Sequence, residues 1–418
     1  MAIWKNYYSN SISRTNNAIE IMRLDHSKAV SDFIRIVDDA IRKRGYKELT
    51  FDFSKVDAIY PNAAVPIAGI LCYYQNEYDL KINIENEPGI INKTNLLEPK
   101  SFTHNNSRYI LNRIWSFGTS EEVARIVNAY IEELQKSAQF YKGVLNAIEW
   151  SLNEVMDNVI QHSKTSFGYV MGQLHPSSKN IAFTVFDAGQ GIYNSMKESE
   201  HCPRTPIDAI TLAIKEEVTR DKRIGQGNGL FGLHSIVKQG KGKLVITSGN
   251  GSYIYNNGFV KTFDYLPYIS GRTPGTIVDF QLNYSEDMSL DKALVFRGKQ
   301  YKLVNLHFED LENSYGHIIY KISERSEGTG TRESATRVKN EILNILSEEQ
   351  KPITLDFTNI EVVSSSYADE LLAKLFLSLG LFQFNNLIKI KGLDSSQQNI
   401  LQRSVLQRII EDLRDTKD

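Results

Sequence analysis

The stretch "LNEVMDNVIQH", residues 152–162, sets Glu154, Asn158 and His162 four residues apart. On a helix that spacing places a carboxylate, an amide and an imidazole on one stripe. A carboxylate so placed can act as a general base on a water it reaches by hydrogen bond. An amide oxygen one turn on is a hard ligand. It suits magnesium, which takes few protein ligands and completes its shell with phosphates and waters. Three glycine-bearing stretches follow: "DAGQGI" (187–192) after an apolar strand-like run, "GQGNGLFGLHSIV" (225–237) running into a helical pattern, and "PGTIVDF" (274–280) opening another strand. Glycines permit positive φ and close backbone approach, and a helix N-terminus offers unpaired N–H groups to an anion. A Gly-x-Gly-x-Gly turn entering a helix is therefore a candidate phosphate cradle, although each glycine alone reads first as a turn residue.

Taken together and in this order, the four stretches resemble the ATP-binding domain shared by gyrase, heat-shock chaperones, histidine kinases and mismatch-repair proteins, the GHKL family. The resemblance covers roughly residues 120–285 and, as a set of four motifs, is specific. It implies ATP and Mg2+ as cofactors. It implies Glu154 as the base that polarises the attacking water, and Asn158 as the magnesium ligand at the nucleotide. It implies Asp187 as the acceptor of the adenine amine, which would select ATP over GTP. By the same resemblance Gly189 and Gly191 let the base approach, Gly225, Gly227 and Gly229 line the phosphates, and Thr276 supports the adenine end. Bland readings stand beside these. Glu154 can be a solvated helix charge, and His162 reads as a helix-end residue. Lys222 and Arg223 either reach the γ-phosphate or are surface charges. No His followed by an acidic residue lies on a helix just upstream of Glu154, as a sensor histidine kinase needs, so self-phosphorylation on histidine is disfavoured.

Several elements must hold these residues. Leu145, Ile148, Leu152, Val155 and Val159 recur at helical spacing and predict the core face of the Glu154 helix. Before it, "TSEEVARIVNAYIEELQ" predicts another helix, N-capped by Thr119 or Ser120 with Glu121 or Glu122 in its first turn. Residues 167–174, 180–187, "KLVITSG" and "TIVDFQL" read as strands.

An internal repeat flanks this segment. "LTFDFSKVDAIYPNAAVPIAGIL" (49–71) is similar to "ITLDFTNIEVVSSSYADELLAKL" (353–375), with Asp52 aligned to Asp356. An amphipathic helical pattern precedes each copy and a further strand follows it. That alternation predicts parallel sheets covered by helices. The second copy resembles the STAS fold, seen in anti-sigma-factor antagonists and attached to GHKL ATPases, over roughly residues 317–410. Antagonists carry a phosphorylated serine at the helix N-terminus after this strand, and Ser366 aligns with it. Ser364 and Tyr367 replace the family's Asp and Gly, and Ser364–Ser366 also read simply as a turn and helix cap. In the first copy Tyr60, Pro61 and Asn62 fill the aligned positions, which excludes a phosphoserine there.

Composition bounds the function. With 48 Lys+Arg against 50 Asp+Glu, the 418-residue chain has no basic excess, so no nucleic-acid partner is expected. The two cysteines and eight histidines show no framework or metal-ligand spacing. Neither "AAVPIAGILCYY" nor "LLAKLFLSLGLF" is long enough to span a bilayer, and no apolar signal core opens the chain. A cytoplasmic location without membrane association is expected. The expected fold class is α/β: a central GHKL-type sandwich, a mixed sheet with helices on one face, at 116–285, flanked by STAS-like α/β modules at 1–115 and 295–418. Three functions fit. The first is an ATP-dependent switch acting on a partner protein or a second subunit, with a homodimer among its forms. The second is a serine/threonine kinase like the anti-sigma factors, acting on a STAS protein. The third is a non-hydrolysing interaction scaffold.

Overall fold

Each copy of the repeat folds into a small parallel sheet in the computed structural model, which describes residues 11–103, 109–165, 167–197, 199–215, 229–265, 275–296, 299–300 and 311–415. In the first copy β1 (Ile12–Thr15), β2 (Ala18–Ile21), β3 (Glu48–Asp52) and β4 (Lys81–Asn86) lie in sequence order. β2, β3 and β4 are parallel, and β1 folds back antiparallel onto β2. Two helices make the crossovers, α1 (Lys28–Asp38) and α2 (Pro61–Tyr78).

α2 carries the long apolar run, and Ala63, Val65, Ile67, Ala68, Ile70 and Leu71 are all buried. A helix apolar on every side must be covered on every side. α2 shares one core with Leu49 and Phe51 of its own sheet and with Tyr169, Met171 and Phe186 of a larger one.

That larger sheet follows α3 (Gly89–Thr94). Its strands are β5 (Lys100–Ser101), β6 (Trp115–Phe117), β7 (Gly168–His175), β8 (Asn180–Asp187), β9 (Lys243–Ser248), β10 (Gly251–Asn256), β11 (Phe259–Phe263) and β12 (Thr276–Asn283). They are ordered β11-β10-β9-β12-β8-β7-β6-β5, and the sheet is mixed: β5 and β6 are parallel, the other pairs antiparallel. Its helices are α4 (Ser120–Ser137), α5 (Val144–His162), α6 (Gly191–Met196), α7 (Pro206–Ala213) and α8 (Gly229–Gln239). Thr119 is the cap of α4: its hydroxyl accepts from the Glu122 N–H, and Glu122 reaches back to the Gly118 N–H at 2.7 Å. Gly168 and Gly172 of β7 lie beneath Val159 of α5 and Tyr130 of α4, whereas Tyr169 between them lies against Gly69 of α2. Helices therefore cover both faces of β7 and β8. The sequence reading expected one covered face; the second is taken by α2, whose all-round apolarity requires it.

After α9 (Leu290–Ala293) and the two-residue strands β13 (Val295–Phe296) and β14 (Lys299–Gln300), the second copy begins. β15 (Ile318–Lys321), β16 (Ile353–Asp356) and β17 (Ile388–Lys391) form a parallel sheet in that order. α10 (Ile322–Arg325), α11 (Arg332–Glu349), α12 (Ser365–Ala368) and α13 (Lys374–Leu387) make its crossovers, and α14 (Ser395–Asp415) follows. The aligned aspartates do the same work in both copies. Asp52 accepts from the Ser54 N–H at 2.8 Å, and Asp356 from the Thr358 N–H at 3.0 Å. Each turns the chain where its strand ends.

The molecule is a mixed α/β protein of two compact units. One comprises Met1–Tyr130, Ala147–Tyr284 and Leu290–Tyr301; the other comprises Ile131–Asn146, Ser285–Ser289 and Lys302–Asp418. The first sheet and the eight-stranded sheet thus fall in one unit. The second unit takes in, besides the second copy, the last turns of α4, the first residues of α5 and the connection between them. Among the described residues no helix is long and apolar enough to cross a membrane.

Candidate functional site

α5 buries Leu145, Ile148, Leu152, Val155 and Val159, as their spacing predicts. The opposite stripe, Glu154 and Asn158, is half-buried. α8 is the reason. A Cβ on its Gly232 would fall 2.1 Å from the Trp150 ring, and one on Gly229 would fall 2.5 Å from Glu154 Oε2 and 3.4 Å from Asn158 Nδ2. Only bare backbone fits, so the first residue of α8 abuts the polar stripe of α5. Burial, and then the nearby Asp157 carboxylate, raise the Glu154 carboxyl above the usual carboxylate range. A base near such a helix N-terminus is raised by desolvation yet favoured by the helix dipole when it ionises.

The second cluster lies where three strands end side by side. Asp187 of β8 is opposite Thr276 of β12, and Thr276 is opposite Ser248 of β9. Asp187 is 5% exposed. It accepts from the Gly189 N–H at 2.9 Å and from the Thr276 hydroxyl. Burial nevertheless outweighs both bonds and pushes its carboxyl up to about 7. Ser248 is a residue the sequence reading did not single out. Its hydroxyl accepts from the Ile192 N–H at 2.8 Å, donates to the Gly275 carbonyl at 3.1 Å and lies 3.2 Å from Thr276 Oγ1. Ser248 thereby ties the start of α6 to the start of β12. No periodic signal marks it; only the strand register brings it beside Asp187.

The loop after Asp187 is strapped to the end of α5. The Gln190 N–H donates to the Ser163 carbonyl at 2.8 Å, and Gln190 Nε2 donates to the His162 carbonyl at 2.6 Å. His162 is the last residue of α5, so its backbone joins the two clusters. A Cβ on Gly189 would fall 2.2 Å from the Ser163 carbonyl oxygen. Close helix approach is the physical need for glycine there. Gly191 has φ +76°, and a Cβ on it would meet Ser248 Oγ at 2.9 Å. Gly189→Ala must therefore push backbone against backbone. It is expected to cost about 1–3 kcal/mol, read as a fall in melting temperature of roughly 2–4 °C per kcal/mol; an unchanged melting temperature would refute the contact.

The structure thus brings Glu154, Asn158 and Gly229 together at one point, and Asp187, Gly189, Gly191 and Thr276 at another, with α5 linking them. Gly225, Gly227, Lys222 and Arg223 lie outside the described residues. Among the described residues no three His, Cys, Asp or Glu side chains are grouped to hold a metal ion.

Ser366 is in the other unit, in the first turn of α12. Ser364 is the cap there, its hydroxyl accepting from the Tyr367 N–H at 3.0 Å, while Ser366 is half-buried and Ser365 exposed. Nearly all of α11, the strands β16 and β17 and this capped turn lie in the stretch that agrees with a known family. Residues 334–398 are a STAS-like domain. The match is to a STAS-like domain of unknown function, DUF4325. Among solved structures the chain is similar to the mycobacterial sensor histidine kinase MprB, at 16% identity over 40% of this chain and 95% of that one, with a TM-score of 0.23. No curated protein matches. Asp369 of the STAS-like stretch, one turn after Ser365 and Ser366, pairs with two arginines from outside it, Arg332 at the start of α11 and Arg408 of α14.

Proposed function

We propose that the protein binds ATP with magnesium and acts as an ATP-dependent switch, whose nucleotide state reaches a partner protein or a second copy through the STAS-like domain. The observation that carries this reading is the meeting of three sequence-distant motifs on α5: the Glu154–Asn158 stripe, the backbone of Gly229, and the Asp187 loop strapped to its end. The residues present fit the groups. Asp187 is a buried carboxylate whose charge two donors support among the described residues, and an adenine amine would supply a further one. Asn158 offers one hard ligand beside a helix N-terminus suited to phosphate. With so few protein ligands, an ion at Asn158 would complete its shell with phosphate oxygens and water. Magnesium, when bound, offsets phosphate charge. Glu154 would orient the attacking water and take its proton, and its raised carboxyl suits it to basic work near neutral pH. Thr276 and Ser248 would hold the Asp187 end in place.

The test is incubation with γ-labelled ATP and magnesium, with free phosphate and labelled protein counted separately. Free phosphate supports the switch, and no ATP binding leaves only an interaction scaffold. Label on protein would favour the second reading, a serine kinase. One observation favours that reading: Ser364, not Ser366, is committed to capping α12. If Ser366 is the acceptor, intact mass rises by one phosphate after ATP treatment and stays unchanged in Ser366→Ala. A mass that never changes while ATP is consumed removes Ser366 as the substrate and favours the switch.

A further inference from the structure

A second polar stripe runs along α11. Arg337, Asn340, Asn344 and Glu348 follow at three- and four-residue spacing, so they share one helix face. Inside the second unit this face meets residues 131–146 in order along the chain. Arg337 forms a two-pronged ion pair with Glu133 at 2.8 and 3.0 Å. Asn340 Nδ2 donates to the Lys136 carbonyl at 3.2 Å. Asn344, fully buried, donates from Nδ2 to the Gln135 and Ala138 carbonyls, each at 2.9 Å, and accepts from the Phe140 N–H at 2.7 Å. Glu348 accepts from the Gly143 N–H at 2.6 Å, and Asn146 Nδ2 lies 3.5 Å from its other oxygen.

Three of the four side chains hydrogen-bond to backbone, so they fix where the chain runs rather than which side chains it carries. Gly143 immediately precedes α5, and Asn146 is its third residue. In a capping box the third residue's carboxylate bonds to the N–H just before the helix. Here the third residue is Asn146, which carries no carboxylate, and Glu348 makes the bond from another helix, placing its carboxyl at the positive end of α5. Asn344 fixes the end of α4 and the turn that follows. Packing alone would not need so many directed bonds, and leaving any of these buried groups unpaired would be costly.

α5 is one helix of 19 residues, Val144–His162. Its start is gripped by α11, and about three and four turns on it carries Glu154 and Asn158. Because a helix is stiff, a shift or rotation at its start is carried to those side chains. We propose that Arg337, Asn340, Asn344 and Glu348 are positioning residues for the nucleotide site, through which the STAS-like domain sets the place of Asn158 and Glu154. This rests on the reading of that site as an ATP site. All four lie within the STAS-like match. A partner that moves α11 would thereby change magnesium-ATP affinity, and by linkage magnesium-ATP would change the affinity for that partner by the same factor.

The decisive comparison uses the full chain and three proteins: wild type, Glu348→Ala and Glu348→Gln. ATP affinity is measured with and without magnesium. Asp187 and Thr276 are on strands and only the loop after Asp187 is tied to α5, so the magnesium-free affinity should fall clearly less than the affinity with magnesium. With magnesium, Glu348→Ala should bind ATP about 5- to 50-fold more weakly, within the usual range of coupling between sites. Glu348→Gln keeps an oxygen for the Gly143 N–H and should match wild type. Hydrogen exchange on the wild type supplies a measurement free of any folding defect: the Phe140 and Gly143 amides should exchange several-fold more slowly with ATP and magnesium. If Glu348→Ala weakens both affinities equally, or neither, or if those amides ignore the nucleotide, the positioning role is overturned while the ATP site stands. If the wild type binds no ATP, both fall together.

Discussion

Glu154→Ala is expected to bind ATP almost as well as the wild type and to hydrolyse it roughly two to four orders of magnitude more slowly, the usual worth of general acid–base catalysis. The change removes a group that acts on water and leaves Asn158 in place. Asn158→Ala should fail in another way. It removes a ligand from the ion at the phosphates, so magnesium-dependent affinity itself weakens. Neither side chain is in the core: both are half-buried, and the apolar face of α5 is elsewhere. Neither variant should therefore unfold. The check is ATP affinity and turnover for both proteins in parallel. Lost binding in Glu154→Ala, or wild-type turnover, would show that the carboxylate is not the base.

Asp187 should impose a pH dependence on the ligand-free protein. Its carboxyl is raised by burial to about 7 in the folded state, against an ordinary 3.8. Between those values the folded chain keeps a proton that the unfolded chain gives up. Stability from this group is thus fully present below about pH 4 and falls as pH rises, at about 1.4 kcal/mol per pH unit, until it levels off above pH 7. Asp187→Asn keeps an acceptor for the Gly189 N–H and cannot ionise. It should remove this slope and leave the ligand-free protein more stable at pH 8, by up to about 4 kcal/mol. ATP should act in the opposite direction in the wild type. An amine donor favours the ionised carboxylate, so ATP affinity should weaken below pH 7, and Asp187→Ala should lose most ATP binding. Thermal melts from pH 5 to 8, with and without ATP, read all of this. A flat wild-type profile would mean that Asp187 does not carry its charge into a buried site.

The helix that holds Glu154 was legible because its apolar period is strict, and β8 because "NIAFTVFD" is a largely apolar run, broken only by Thr184, between a turn and Asp187. The repeat was legible because the turn aspartates Asp52 and Asp356 perform a local task, and local tasks leave local marks. Other features left weaker signals. In sequence "AAVPIAGIL" reads as an apolar run too short to cross a bilayer, and composition does not say what covers it. Ser248 joins the Asp187 cluster only through the register of β9 on β12. The stripe on α11 has helical spacing, but its partners lie about two hundred residues earlier, the separation between Phe140 and Asn344 being 204. A period in sequence defines a face; it does not name the surface that meets it.

The two copies of the repeat have come to differ in how their cores are closed. The second closes its apolar core with its own residues, from Leu311 to Leu401 and their neighbours, and leaves only the polar face of α11 to the chain at 133–146. The first does not, because α2 is the filling between two sheets: Gly69 has Phe186 and Tyr169 where a side chain would be. One copy thus keeps its own apolar core, and the other has become wall material. Replacing the STAS-like end would have to reproduce the α11 face that Gln135, Ala138, Phe140 and Gly143 meet, while anything that cut away the first hundred residues would strip the back of the eight-stranded sheet.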